Sequence, residues 1–138
     1  MNQDLIFAPM GALALLTFAV LLLVPTLRFR AAFAGQVTAE DFRLGESAAV
    51  PPYVSIPNRN YMNLLELPIL FFPACLMFYV THRVDGAALG LAWAFVGLRA
   101  VHSAIHLTYN NVFHRLTAFA LGNVALAALW LMFFVRRG

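Results

Sequence analysis

The chain has 138 residues, of which 62% are hydrophobic and only 11% charged, with a mean hydropathy of +0.80. Soluble domains carry about 25% charged residues, so this composition excludes an ordinary soluble domain and points to one membrane unit of a few spans. The formal net charge is +3 and all nine basic residues are Arg, scattered rather than gathered into the stripe a nucleic-acid-binding protein needs.

A membrane helix needs about 20 mostly apolar residues, and four stretches qualify. The first covers residues 5–27, with Pro25 near its end. Its only early charge is Asp4, and its apolar run is longer than the core of a signal peptide, so it reads as a retained membrane helix. A long connection, 28–58, follows, with AEDFRLGES and then the Pro-rich VPPYVSIPN. Connections of this length usually carry function or cover something, and this one reads as a polar cap over one membrane face. The second helix is expected over 61–80, kinked by Pro68 and Pro73. Its apolar run holds the single cysteine, Cys75, which excludes an intrachain disulfide and suits a buried, inert thiol. The tight turn THRVDGA leads to a third helix over 87–107, and TYNNVFH to a fourth over 116–135, closed by Arg136 and Arg137. Links this short make neighbouring helices antiparallel. The fold class is therefore all-α, an integral membrane four-helix bundle forming a single domain over 1–138.

Arg counts near the helix ends give an orientation. The first and third connections share a side and hold Arg28, Arg30, Arg43, Arg59 and Arg115; the other side holds Arg83, Arg136 and Arg137. The positive-inside tendency places the long loop in the cytoplasm and both termini on the non-cytoplasmic side.

The polar residues inside the spans are not scattered. Arg99, His102 and His106 stand at i, i+3 and i+7 on the third helix, one face of an α-helix. Arg59, Asn63 and Glu66 stand at i, i+4 and i+7 on the second. Ionisable residues within a membrane are costly and face a partner, the bundle interior or a water-filled cavity. Glu66 and Arg99 are expected at similar depth and paired, with Asn63, His102, Arg59, His106 and Arg115 continuing towards the long-loop face. The resulting polar cleft, anionic at its deep end and Arg-rich at its mouth, suits a ligand carrying an ammonium and carboxylates. The competing reading is a Glu–Arg pair that only fixes helix register. His102 and His106 have metal-ligand spacing but form only part of a ligand set, so no metal is assigned. Asn110 and Asn111 read as turn residues, and Trp93, Trp130 and Tyr79 as packing or interface aromatics.

These residues carry a resemblance. The R-x3-N-x2-E spacing of Arg59, Asn63 and Glu66, the R-x2-H of Arg99 and His102, and Arg115 at the start of the last helix resemble the MAPEG superfamily, membrane-associated proteins of eicosanoid and glutathione metabolism. The resemblance covers essentially the whole chain. It implies a homotrimer with glutathione as co-substrate in a cleft between subunits, held by Arg59, Asn63, Glu66, Arg99, His102 and Arg115. It also implies an Arg at the end of helix one of the adjacent subunit that stabilises the thiolate; Arg30, within R-A-A-F, is the closer match, and Arg28 the alternative. The chain departs from the pattern at His106, where family members that use glutathione usually have Tyr. Arg30 and His106 are accordingly the catalytic candidates. Two functions follow: a glutathione transferase or peroxidase acting on a lipophilic electrophile from the bilayer, or a non-catalytic lipid-binding trimer or accessory subunit of a larger membrane complex.

Overall fold

The computed structural model describes residues 1–136; Arg137, expected to help close the last helix, lies outside the described residues. The described chain is helical, with no strand. Five α-helices, α1 (Phe7–Phe33), α2 (Pro52–Leu65), α3 (Phe71–Val80), α4 (Gly86–Leu107) and α5 (Val112–Val135), build four candidate membrane spans, Gln3–Phe33, Pro52–Val80, Gly86–Leu107 and Val112–Val135.

The second span is broken rather than kinked. Helix α2 ends at Leu65, Glu66 takes a non-helical conformation (φ −77°, ψ −107°), and a 3₁₀ turn, Leu67–Leu70, leads into α3. Pro68 supplies the reason: it lacks the N–H that would continue the ladder, and its ring clashes with the carbonyl one turn back. The Leu70 carbonyl at the start of α3 accepts from Trp130 Nε1 at 3.1 Å, which ties the break to α5. Pro73 sits in the first turn of α3, where a missing N–H costs little.

The first connection is shorter than expected. Helix α1 runs six residues past Leu27, and α2 begins at Pro52 rather than near residue 61, so the loop shrinks from 28–58 to 34–51. Hydropathy alone missed both extensions because they lie where helices leave the hydrocarbon and polar side chains are tolerated. Ala31, Val37, Val50 and Val54 form a small buried cluster there, with Phe42 against it. The Asp41 carboxylate accepts from Thr38 N (2.8 Å) and Ser47 Oγ (2.7 Å), and the Thr38 bond foremost holds its pKa below the usual carboxylate value. Arg28 pairs with Glu46 at 3.1 Å and lies 4.6 Å over the Phe42 ring. The loop is therefore a folded cap.

The opposite face is tied by the N-terminus. The Gln3 amide accepts from Val84 N at 2.8 Å and donates to Val84 O at 3.2 Å, clamping the α3–α4 turn. Asp85 caps α4 through Ala88 N at 2.8 Å and pairs with Arg136 beyond α5. The cap bond to Ala88 N leads the interactions that hold the Asp85 carboxyl below its ordinary range. Between the two faces, Leu13 and Val20 of α1 pack with Phe71, Phe78, Phe95, Leu129 and Phe133, and Cys75 is buried among them, as expected. The stacked Phe71–Phe95 pair at 4.9 Å and the edge-on Phe78–Phe133 pair at 5.2 Å fix the antiparallel helices against one another.

Candidate functional site

The buried polar residues of α4 lie on one stripe, as its spacing requires: Arg99 is 0% exposed, His102 4%, Ser103 2% and His106 7%. The stripe faces α2 and the start of α5. A cavity of about 340 Å³ opens between these elements, lined by Ile56, Arg59, Asn63, His102, His106, Asn110, Val112 and Arg115. It lies at the end of the bundle that holds the α4–α5 turn, the long-loop side. Five expected site residues, Arg59, Asn63, His102, His106 and Arg115, thus meet in one place, brought from three helices.

Arg99 lies behind them and is held differently from the expectation. The ion pair with Glu66 is not formed. Arg99 Nη1 donates to Asn63 Oδ1 at 3.0 Å and Nη2 to Asn123 Oδ1 at 2.8 Å, while the guanidinium stacks 4.9 Å from the Phe119 ring centroid and 5.4 Å from that of Phe95. Glu66 occupies the break after α2, is exposed, and forms no ion pair among the described residues. The broken helix is the physical reason: the i+7 placement assumed an unbroken turn through residue 66. Asn123 was missed at the sequence level, although an amide inside the apolar stretch LGNVALAAL is a readable signal. Asn60 was missed as well; it is fully buried and accepts from Ser103 Oγ at 3.2 Å.

The α4–α5 turn shapes the cavity mouth. Asn110 adopts a left-handed conformation (φ +48°), which Asn tolerates better than most residues, and its Oδ1 accepts from Arg115 Nη1 at 2.7 Å. Asn111 caps α5 through Phe113 N and His114 N. Both are turn residues, as expected, and Asn110 also positions a cavity Arg. The Arg115 carbonyl lies 3.1 Å from His102 Nδ1. A carbonyl only accepts, so Nδ1 carries the proton and Nε2 is left as the ring's open position.

Three buried nitrogens here, Arg99 Nε, His102 Nε2 and His106 Nδ1, have no hydrogen-bond partner among the described residues. Such groups are costly unless satisfied. With Arg59 and Arg115 at the cavity, Arg99 behind it and no carboxylate in its lining, the arrangement fits an anionic ligand. No cluster of three or more His, Cys, Asp or Glu residues able to hold a metal occurs among the described residues. Arg30 is outside this cavity in its own chain; it is exposed and lines a separate depression with Ala34, Gln36 and Tyr53.

No curated protein and no solved structure matches the chain. The profile of the MAPEG family matches residues 6–135, from the start of the first span to the end of the last. With four spans and a polar site on the motif residues, the chain belongs to the MAPEG family, as a multi-pass membrane protein related to glutathione and eicosanoid metabolism.

Proposed function

We propose that the chain is a membrane glutathione transferase or peroxidase that presents glutathione thiolate to a lipophilic electrophile entering from the bilayer. The observation that carries this reading is the cavity shared by Arg59, Asn63, His102, His106 and Arg115. Arg59 and Arg115 offer planar donor forks to the two carboxylates of the ligand. Glu66, exposed three residues beyond Asn63, is available to the ligand's ammonium. His106 lies where it can meet the sulfur, and Arg30 completes the site from an adjacent subunit, its positive charge favouring thiolate. Adding glutathione to the purified protein should raise thiolate absorbance, and Arg30→Ala should weaken it. Absence of both thiolate signal and heat of binding would leave the alternative, a non-catalytic lipid-binding trimer or accessory subunit. A 660 Å³ apolar pocket between α1 and the cap, lined by Leu21, Val24, Phe29 and Phe42 among others, favours that second reading.

The assembly we propose is a homotrimer. The exposed small residues Gly90, Ala94 and Gly97 on α4, with open space around both glycines, support close helix approach between copies. Native mass spectrometry giving a stable monomer or dimer would contradict it. In orientation, we place the cap in the cytoplasm and the termini on the other side. Ser47→Cys in a Cys75→Ser background should then react with an impermeant maleimide only after the membrane is opened; labelling from outside on intact cells would reverse the assignment.

A further inference from the structure

The cavity contains few groups that can take up a proton. A guanidinium has no lone pair to take up a proton, which rules out Arg59 and Arg115, and Asn63 and Asn110 have no basic group. Only the two imidazoles remain. They are not equivalent. The His102 ring is held through Nδ1 to the Arg115 carbonyl and keeps a buried, unpartnered Nε2, whereas the His106 ring makes no hydrogen bond with any described residue and has a buried, unpartnered Nδ1. The two rings meet edge to face with centroids 5.8 Å apart. The charged or titratable groups that face His106 are Arg115 on α5, His102 on α4 and Arg59 on α2.

We propose that His106 is the proton acceptor of this cavity: it takes the ligand's thiol proton and keeps it within the protein, with His102 fixed beside it in a single orientation. The inference rests on the glutathione reading above. The S–H bond breaks, its electron pair stays on sulfur, and a new N–H bond forms on the imidazole. The step is charge-neutral overall, because an imidazolium and a thiolate appear together, which lessens the objection to a further cation beside Arg59 and Arg115. When the thiolate adds to an electrophile, the proton is available to the anion that develops there. A phenol at this position has no comparable capacity near neutral pH, because its oxygen is a very weak base and the proton must go elsewhere.

The proton count distinguishes this from simple stabilisation of a thiolate by Arg. Titration calorimetry of glutathione binding, repeated in buffers of different ionisation enthalpy near neutral pH, gives the protons released to solvent, and ultraviolet absorbance gives the thiolate formed. The wild-type protein should form thiolate and release almost no proton. His106→Tyr should bind glutathione, and each thiolate it forms should release about one proton. The glutathione analogue with a hydroxyl in place of the thiol should release none with either protein. If the wild-type protein releases about one proton per thiolate, or if His106→Tyr gives the wild-type count, the proton-acceptor assignment is wrong and the glutathione reading stands. If neither heat nor thiolate appears, the glutathione reading itself fails and the assignment goes with it. Should His106→Tyr not fold, the wild-type count still decides.

Discussion

Asn123→Ala should destabilise the protein by about 2–3 kcal/mol, the range for a lost hydrogen bond to a buried charged group. Among the described residues, Arg99 is the largest fully buried side chain, and no carboxylate of theirs lies within ion-pair distance of its guanidinium. Its charge is carried by two amide oxygens, Asn63 Oδ1 and Asn123 Oδ1, and by two aromatic faces. Removing Asn123 strands one N–H of a cation that cannot neutralise and cannot reach water. Glu66→Gln should cost less than about 1 kcal/mol in the separated subunit, as for exposed charges in general. An Asn123/Arg99 double-mutant cycle should show coupling, whereas a Glu66/Arg99 cycle should be close to additive. Unfolding measured in detergent, on protein dissociated to single chains, checks both. Strong Glu66–Arg99 coupling there would mean that the guanidinium turns to the carboxylate and that the amide contacts are secondary.

Arg115→Ala should raise the Kd for glutathione about 30- to 140-fold, because a charge-assisted bond worth about 2–3 kcal/mol is lost and 1.4 kcal/mol is a factor of ten. The fold should survive. The interaction that Arg115 makes with His102 uses its backbone carbonyl, which Ala retains, and α5 keeps its Asn111 cap. The lost contact to Asn110 lies at the cavity mouth, where water can replace it. Arg115→Lys should fall between the two, since it keeps the charge but loses the planar fork. Calorimetry on wild-type and variant proteins measures this directly. A variant that binds as tightly as wild type would remove Arg115 from the site and leave the cavity's anion selectivity to Arg59 alone.

Much of this could be read from the residue order. Four apolar runs with short second and third connections leave little choice but an antiparallel membrane bundle, because an unpaired backbone is not tolerated in hydrocarbon. The i, i+3, i+7 spacing of Arg99, His102 and His106 already placed them on one buried stripe, since helical periodicity depends only on sequence separation. That rule fails where a helix fails. The break at Glu66, caused by Pro68, left the carboxylate beyond ion-pair distance of Arg99, and only the packed structure brought Asn123 from α5 to bind the guanidinium. Residues 60 and 103 are 43 positions apart, and no local pattern says that their side chains meet. The cap followed the same logic: its polar composition was plain, but its true limits, 34–51, depend on Val37, Val50 and Val54 finding Ala31. Sequence determined which residues share a helix face, a local property of the backbone. Tertiary structure alone decided which faces meet, and hence which amides hold the buried guanidinium and which side chains line the cavity.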